Sequence, residues 1–179
     1  SMNLSTFEKK DSTGICFIGE RPFPSFLENY INDKPGKIIC DKGNEVGLHR
    51  GLSFYTLGQR QGLGIGGLKD YDERPWYVVE KKLSENILVV AQGNDNQQLF
   101  NNKLSVNSIN WICEPDLTEP IKLEAKIRYR QDEQECILSK KGKTFSVEFK
   151  KPQRAITPGQ SIVFYQDNIC LGGGEIYKS

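Results

Sequence analysis

The chain has 179 residues, a formal net charge of +1, 37% hydrophobic and 26% charged residues, which reads as a soluble globular protein of one or, preferably, two small domains. Near-neutral charge supplies no bulk attraction to nucleic acid, so any RNA contact has to come from local basic patches. No apolar run approaches the ~20 residues that a spanning helix needs, and the first residues lack the pattern of a secretory signal, so no membrane role is expected.

Five cysteines (Cys16, Cys40, Cys113, Cys136 and Cys170) are an odd number at wide spacing. That argues for a reducing cytoplasm and against a disulfide scaffold. With a single histidine and no Cys-x-x-Cys pair, a closed zinc site is not expected, and no bound metal is predicted.

In chain order, the segment from Asp11 to Arg21 sets Cys16 on a glycine-bearing loop shortly before a cation and a helix start. A nearby cation or helix N-terminus favours the nucleophilic thiolate, while Ile15 and Phe17 allow the plainer reading of a buried structural cysteine. Phe26, Leu27, Tyr30 and Ile31 recur at helical spacing behind Pro24, and Pro35-Gly36 ends that pattern. Lys37 to Cys40 and Glu45 to His49 predict a hairpin around Asp41 to Asn44, and Ser53 to Arg60 a helical turn. After a glycine-rich stretch, Trp76 to Glu80 and Ile87 to Ala91 predict two more strands.

Beyond the polar segment 93–98 the helical periodicity is lost, which places a domain boundary near residue 100. Leu104 to Trp111, Ile121 to Arg130, Glu135 to Leu138, Thr144 to Phe149, Ser161 to Tyr165 and Ile169 to Leu171 are short runs divided by turn residues. This spacing predicts a small antiparallel barrel. The fold class expected is therefore mainly β: a small α+β central domain within residues 1–99, followed by a small antiparallel β-barrel in residues 100–179.

Several motifs have competing readings. Gly62-Leu-Gly-Ile-Gly-Gly67 satisfies the dinucleotide G-x-G-x-x-G pattern, but a polar, proline-ended loop follows where a helix is required, so a structural turn is expected. His49 can be written as a base for Cys16, yet a structural or RNA-facing histidine is the default. Trp76 and Trp111 are read as core, and Cys170 as structural, on a strand followed by a flexible glycine turn. Lys126, Arg128 and Arg130 share one face of the predicted strand and form either a phosphate-sized basic stripe or an ordinary solvated face. The basic runs 140–143 and 150–154 are read as hydrated turns.

Taken together, Asp11 to Arg21 and Gly51-Leu-Ser-Phe-Tyr-Thr-Leu-Gly-Gln-Arg-Gln-Gly-Leu-Gly-Ile-Gly-Gly67 closely resemble the bacterial tRNA-specific 2-thiouridylases. So do Pro75 to Val79, Val89 to Gly93, Arg128 to Gln131, Ile156 to Gln160 and Cys170 to Ile176. The family's N-terminal ATP-pyrophosphatase domain has no counterpart here, so the resemblance implies the central and C-terminal part of such an enzyme, with a C-terminal β-barrel behind a small central domain. It implies that Cys16 carries the persulfide that sulfurates a wobble uridine, and that Arg128, Tyr129 and Gln160 contact tRNA. It also implies use of ATP with magnesium by the full-length enzyme, a sulfur-relay or persulfide donor protein as partner, a second cysteine in the other domain, and no cofactor site in this part. A rival reading is a non-catalytic RNA-binding barrel in which Cys16 is structural.

Overall fold

The computed structural model describes residues 33–66 and 70–178. Cys16, Arg21 and the helix expected behind Pro24 lie outside the described residues. Strands β1 (Gly36–Cys40) and β2 (Glu45–His49) form the expected hairpin, with Gly43 at φ 88 in its turn. Strands β3 (Trp76–Lys82) and β4 (Ile87–Gln92) form a second one. β1 pairs in parallel with β4, so the four make a mixed sheet of order β2-β1-β4-β3.

One face of this sheet buries Ile38, Val46, Val78, Leu88 and Val90, over which the long β2–β3 connection lays Leu52, Tyr55 and Leu63. The connection's expected helical turn shrinks to the 3₁₀ turn Leu52–Phe54, which ends where Tyr55 takes an extended conformation at φ -122 and ψ 145. The Lys81 ammonium donates to the Leu52 and Tyr55 carbonyls at 3.1 and 2.8 Å, satisfying acceptors at the end of that turn.

A second 3₁₀ turn, Gln97–Leu99, leads into the six remaining strands. These are β5 (Phe100–Trp111), β6 (Ile121–Lys126), β7 (Gln134–Lys141), β8 (Thr144–Arg154), β9 (Ser161–Gln166) and β10 (Ile169–Lys178). They close as an antiparallel barrel of order β10-β5-β8-β7-β6-β9. Alternate residues point inward: Leu123 and Ala125, Cys136 and Leu138, Phe145, Val147 and Phe149, Ile162 and Phe164. Trp111 lies against Phe145 and Phe164, with ring centroids 6.4 and 6.0 Å apart, so it packs as core. The molecule is mainly β, as expected, with a mixed sheet followed by a closed barrel.

Three further sequence expectations change. The strand expected to run to Arg130 ends at Lys126, because the Ile127 N–H donates to the Gln131 side-chain carbonyl at 3.2 Å and the chain turns there. The run 150–154 is not a turn but the end of β8, where Gln153 and Arg154 pair with Asn101 and Phe100 across a register shift that accommodates Pro152. Nor is the triplet Gly172 to Gly174 a flexible turn. It continues β10 between β5 and β9, opposite Trp111, Asn110 and Ile109 on one side and Phe164, Val163 and Ile162 on the other.

The register slips on either side of this triplet bend β10 against its neighbours. A Cβ at Gly172 would meet the Asn110 carbonyl, one at Gly173 would lie 2.6 Å from the Ile162 oxygen, and one at Gly174 would meet the Ser108 carbonyl and lie 2.7 Å from Val106 Cγ1. Backbone cannot yield as a flexible side chain does, so these sites require glycine. Gly174→Ala is expected to cost ~1–3 kcal/mol in denaturant unfolding. Gly66→Ala, where an added Cβ meets nothing within 4 Å, should stay within ~0.5 kcal/mol of wild type.

Candidate nucleic-acid interface

Where β6 ends, Arg128, Tyr129 and Arg130 sit on an exposed turn closed by the Gln131 N–H donating to the Arg128 carbonyl at 3.2 Å. Tyr129 keeps 63% of its surface exposed. The side chain of Gln131 anchors the turn, donating to Gln153, which is 4% exposed and itself donates to the Lys151 carbonyl at 2.8 Å. Arg128 Nη2 reaches across to the Arg154 and Ala155 carbonyls at 3.2 and 3.4 Å.

Those carbonyls open the loop that carries Gln160. Its course is set by backbone bonds: Gly159 N–H to the Ile176 carbonyl at 2.8 Å, Ile176 N–H to the Gln160 carbonyl at 2.8 Å, and Gln160 N–H to the Thr157 carbonyl at 3.2 Å. Pro158, Gly159 and Gln160 are exposed. The structure therefore joins Arg128 to the loop of Gln160, across some thirty intervening positions, and leaves the Tyr129 ring open beside it. A guanidinium, an amide and an exposed ring are the groups with which proteins hold phosphate and base.

The basic stripe does not form. Lys126 is still on β6, where it pairs with Glu133 at 3.0 Å and lies 5.3 Å from the Tyr165 ring centroid. The hydrogen bond that Lys126 donates to the Glu133 carboxylate raises its pKa, and the carboxylate offsets its charge. Arg128 and Arg130 follow on the turn, where strand alternation no longer applies. Arg128 and Tyr129, neighbours in sequence, are therefore not held to opposite faces as they would be on a strand.

His49 is fully buried. Its Nδ1 accepts from the Gly51 N–H at 3.1 Å, which leaves Nε2 as the protonated nitrogen donating to the Asn86 carbonyl at 3.0 Å. Both ring nitrogens serve the backbone, so the histidine is structural and neither is left for a thiol. The glycine-rich loop is likewise a turn: Gly62 and Gly64 have φ 76 and 65, while Leu63 is buried between them. No strand leads directly into it and no helix follows among the described residues, so the dinucleotide pattern has no structural counterpart.

Two participants carried no sequence signal. Arg154, within a run read as hydrated, places its guanidinium 5.0 Å from the ring centroid of Tyr77 on β3. Ala155 adopts φ 50 and donates its N–H to the Leu99 carbonyl at 2.6 Å. Neither a long-range stack nor a left-handed alanine can be read from local pattern. The positive φ would be foretold by a glycine or asparagine, and here it is imposed by tertiary contacts.

A mixed sheet followed by a closed antiparallel barrel defines a two-part β architecture that two family models match. Residues 24–92 match the tRNA methyl transferase PRC-barrel domain, and residues 101–176 the aminomethyltransferase beta-barrel domain. Along the part it covers, the chain belongs to the tRNA-specific 2-thiouridylase family. It is 53% identical over 177 residues, 99% of its length, to the tRNA-specific 2-thiouridylase MnmA of Stutzerimonas stutzeri (strain A1501), of which it covers 47%. It is 53% identical over 173 residues to the protein of that name in Pseudomonas fluorescens (strain Pf0-1), and 52% to that of Pseudomonas aeruginosa (strain UCBPP-PA14), in each case over 97% of this chain and 46% of the relative. The chain thus spans about half the length of the curated relatives it matches.

The cysteines outside the Cys16 segment differ sharply. Cys113 is exposed, Cys170 is half-buried, and Cys40 is buried with its sulfur 3.3 Å from the Tyr71 hydroxyl. Burial, reinforced by the charge of Glu124, pushes the Cys136 thiol up to about 12. Thiolate is the reactive form, so Cys136 should resist a maleimide until the barrel unfolds, while Cys113 reacts under native conditions. Peptide mapping after timed labelling checks this order, and early labelling of Cys136 would contradict the closed barrel.

Proposed function

We propose that this chain is the tRNA-holding and sulfur-carrying part of a tRNA 2-thiouridylase that replaces the 2-oxygen of a wobble uridine with sulfur. The observation that carries the reading is the 52–53% identity to proteins of that name over nearly the whole chain. It is supported by the bonds from Arg128 to the start of the loop that carries Gln160, with the exposed Tyr129 next to Arg128 in its turn. In this reading residues 100–179 are the tRNA-binding barrel, with Arg128 on phosphate, Tyr129 offering a stacking face and Gln160 a hydrogen-bonding amide. Residues 1–99 are the catalytic-cysteine loop and central domain.

ATP, with magnesium, activates the uridine oxygen as a leaving group by adenylation, on the part of the family's length that this chain does not span. Cys16 carries a persulfide, loaded by a donor protein, whose terminal sulfur attacks the activated carbon. A carbonyl oxygen leaves poorly until activated, and a persulfide is a polarisable nucleophile at neutral pH, so the two steps complement each other. A second cysteine then closes a disulfide with Cys16 and frees the 2-thiouridine. A cytoplasmic location follows from a tRNA substrate and reduced thiols. Among the described residues no helix is long and apolar enough to cross a membrane.

Two experiments test the division of labour. In the full-length protein Cys16→Ser should abolish 2-thiouridine formation while sparing tRNA binding and adenylation, because a hydroxyl cannot carry a persulfide. Mass spectrometry of digested tRNA reads this, and retained thiolation would favour a non-catalytic RNA-binding role for this region. Arg128→Ala should weaken tRNA binding by about 1 kcal/mol and lower the salt slope by about one counterion. An unchanged dissociation constant and slope would remove Arg128 from the interface. The 179-residue chain alone should show no ATP binding by calorimetry; micromolar binding with pyrophosphate release would overturn the placement of the ATP site.

A further inference from the structure

The loop that carries Gln160 starts at a joint between the barrel and the mixed sheet. Arg154, the last residue of β8, stacks on Tyr77 of β3, which stands on the face of the sheet opposite to the buried Val78. The next residue, Ala155, donates its N–H to Leu99, and its carbonyl accepts from the Thr157 hydroxyl at 3.0 Å and from Arg128 Nη2 at 3.4 Å. Its methyl group faces Gly58, where a Cβ would come within 2.7 Å of it and within 3.3 Å of Arg154 Nη1. Every group of Ala155 is thus engaged, which is how a non-glycine residue is held at φ 50.

Resting on the reading of this loop as a tRNA contact, we propose that Arg154 and Tyr77 are positioning residues for it. Their stack docks the end of β8 on the mixed sheet and thereby fixes Ala155. Ala155 and Arg154 in turn supply the two carbonyls that aim the Arg128 guanidinium. The mixed sheet therefore sets the affinity of the barrel for RNA through this joint. Arg suits this role at both positions: a planar guanidinium stacks on an aromatic face in one case, and in the other presents several N–H groups, of which the joint engages a single nitrogen.

The test compares Tyr77→Ala and Tyr77→Phe in the full-length protein, reading tRNA affinity between about 50 and 200 mM salt together with amide exchange. Tyr77→Ala should weaken tRNA binding about fivefold, the size of a lost partly exposed cation–π contact, with the salt slope unchanged because no phosphate contact is removed. The same variant should speed exchange of the Ala155 amide about tenfold, an effect confined to the joint if the opening is local, so that amides paired between β6 and β7 keep wild-type rates. Tyr77→Phe, which keeps the ring face, should restore both readouts.

Wild-type affinity or wild-type Ala155 exchange in Tyr77→Ala overturns the proposal, as does a flattened salt slope or failure of Tyr77→Phe to rescue. If the wild-type protein itself binds no tRNA, the interface reading falls, while Ala155 exchange still decides whether the stack holds the loop.

Discussion

Closure of the barrel by β10 is the constraint on which the rest of the structure depends. A six-stranded antiparallel sheet has two edges unless its first and last strands meet, and here β10 hydrogen-bonds to both β5 and β9. That seam runs through three consecutive glycines packed against neighbouring backbone, where side chains would force the strands apart. Closure encloses the core of Phe149, Phe164, Leu138 and Ile162, and the same seam pins Gly159 and Gln160 to Ile176. The loop proposed to meet RNA is thus held by the strand that seals the barrel.

A second set of forces acts where barrel and mixed sheet meet. Ordinary hydrophobic burial keeps the two cores separate, one around Val78 and Val90 and the other around Phe164. What links them at the β8 end is directional: the Ala155 to Leu99 hydrogen bond and the Arg154 stack on Tyr77. Directional contacts fix orientation better than apolar burial does, because they are lost over small displacements, whereas apolar surface stays covered as it slides.

The interface and the chemistry proposed for the chain make different demands on it. Phosphate recognition needs exposed donors on a rigid base, which Arg128 has through Gln131, Gln153 and the Arg154 and Ala155 carbonyls. Sulfur transfer needs an accessible thiolate, and among the described cysteines Cys40 and Cys136 are buried. Cys113 is exposed in the β5–β6 connection, where its N–H donates to the Leu171 carbonyl at 3.1 Å. The sulfur-carrying role assigned to Cys16 accordingly rests on its sequence segment and its family.

Much was determined by sequence alone. The hairpins of 37–49 and 76–91, the run of barrel strands and the rejection of a dinucleotide site all follow from local alternation and turn residues, whose physics lies within a few neighbouring positions. The family itself was legible in motifs from Asp11 to Ile176. Tertiary structure decided the rest. Gln131 ends β6 by borrowing a backbone donor, Glu133 offsets the charge of Lys126, and the glycine triplet runs as strand because β5 and β9 flank it. The joint of Tyr77, Arg154 and Ala155 likewise brings together residues from different parts of the chain. In each case the partner that sets the outcome acts through tertiary packing or a side-chain bond that no local periodicity encodes.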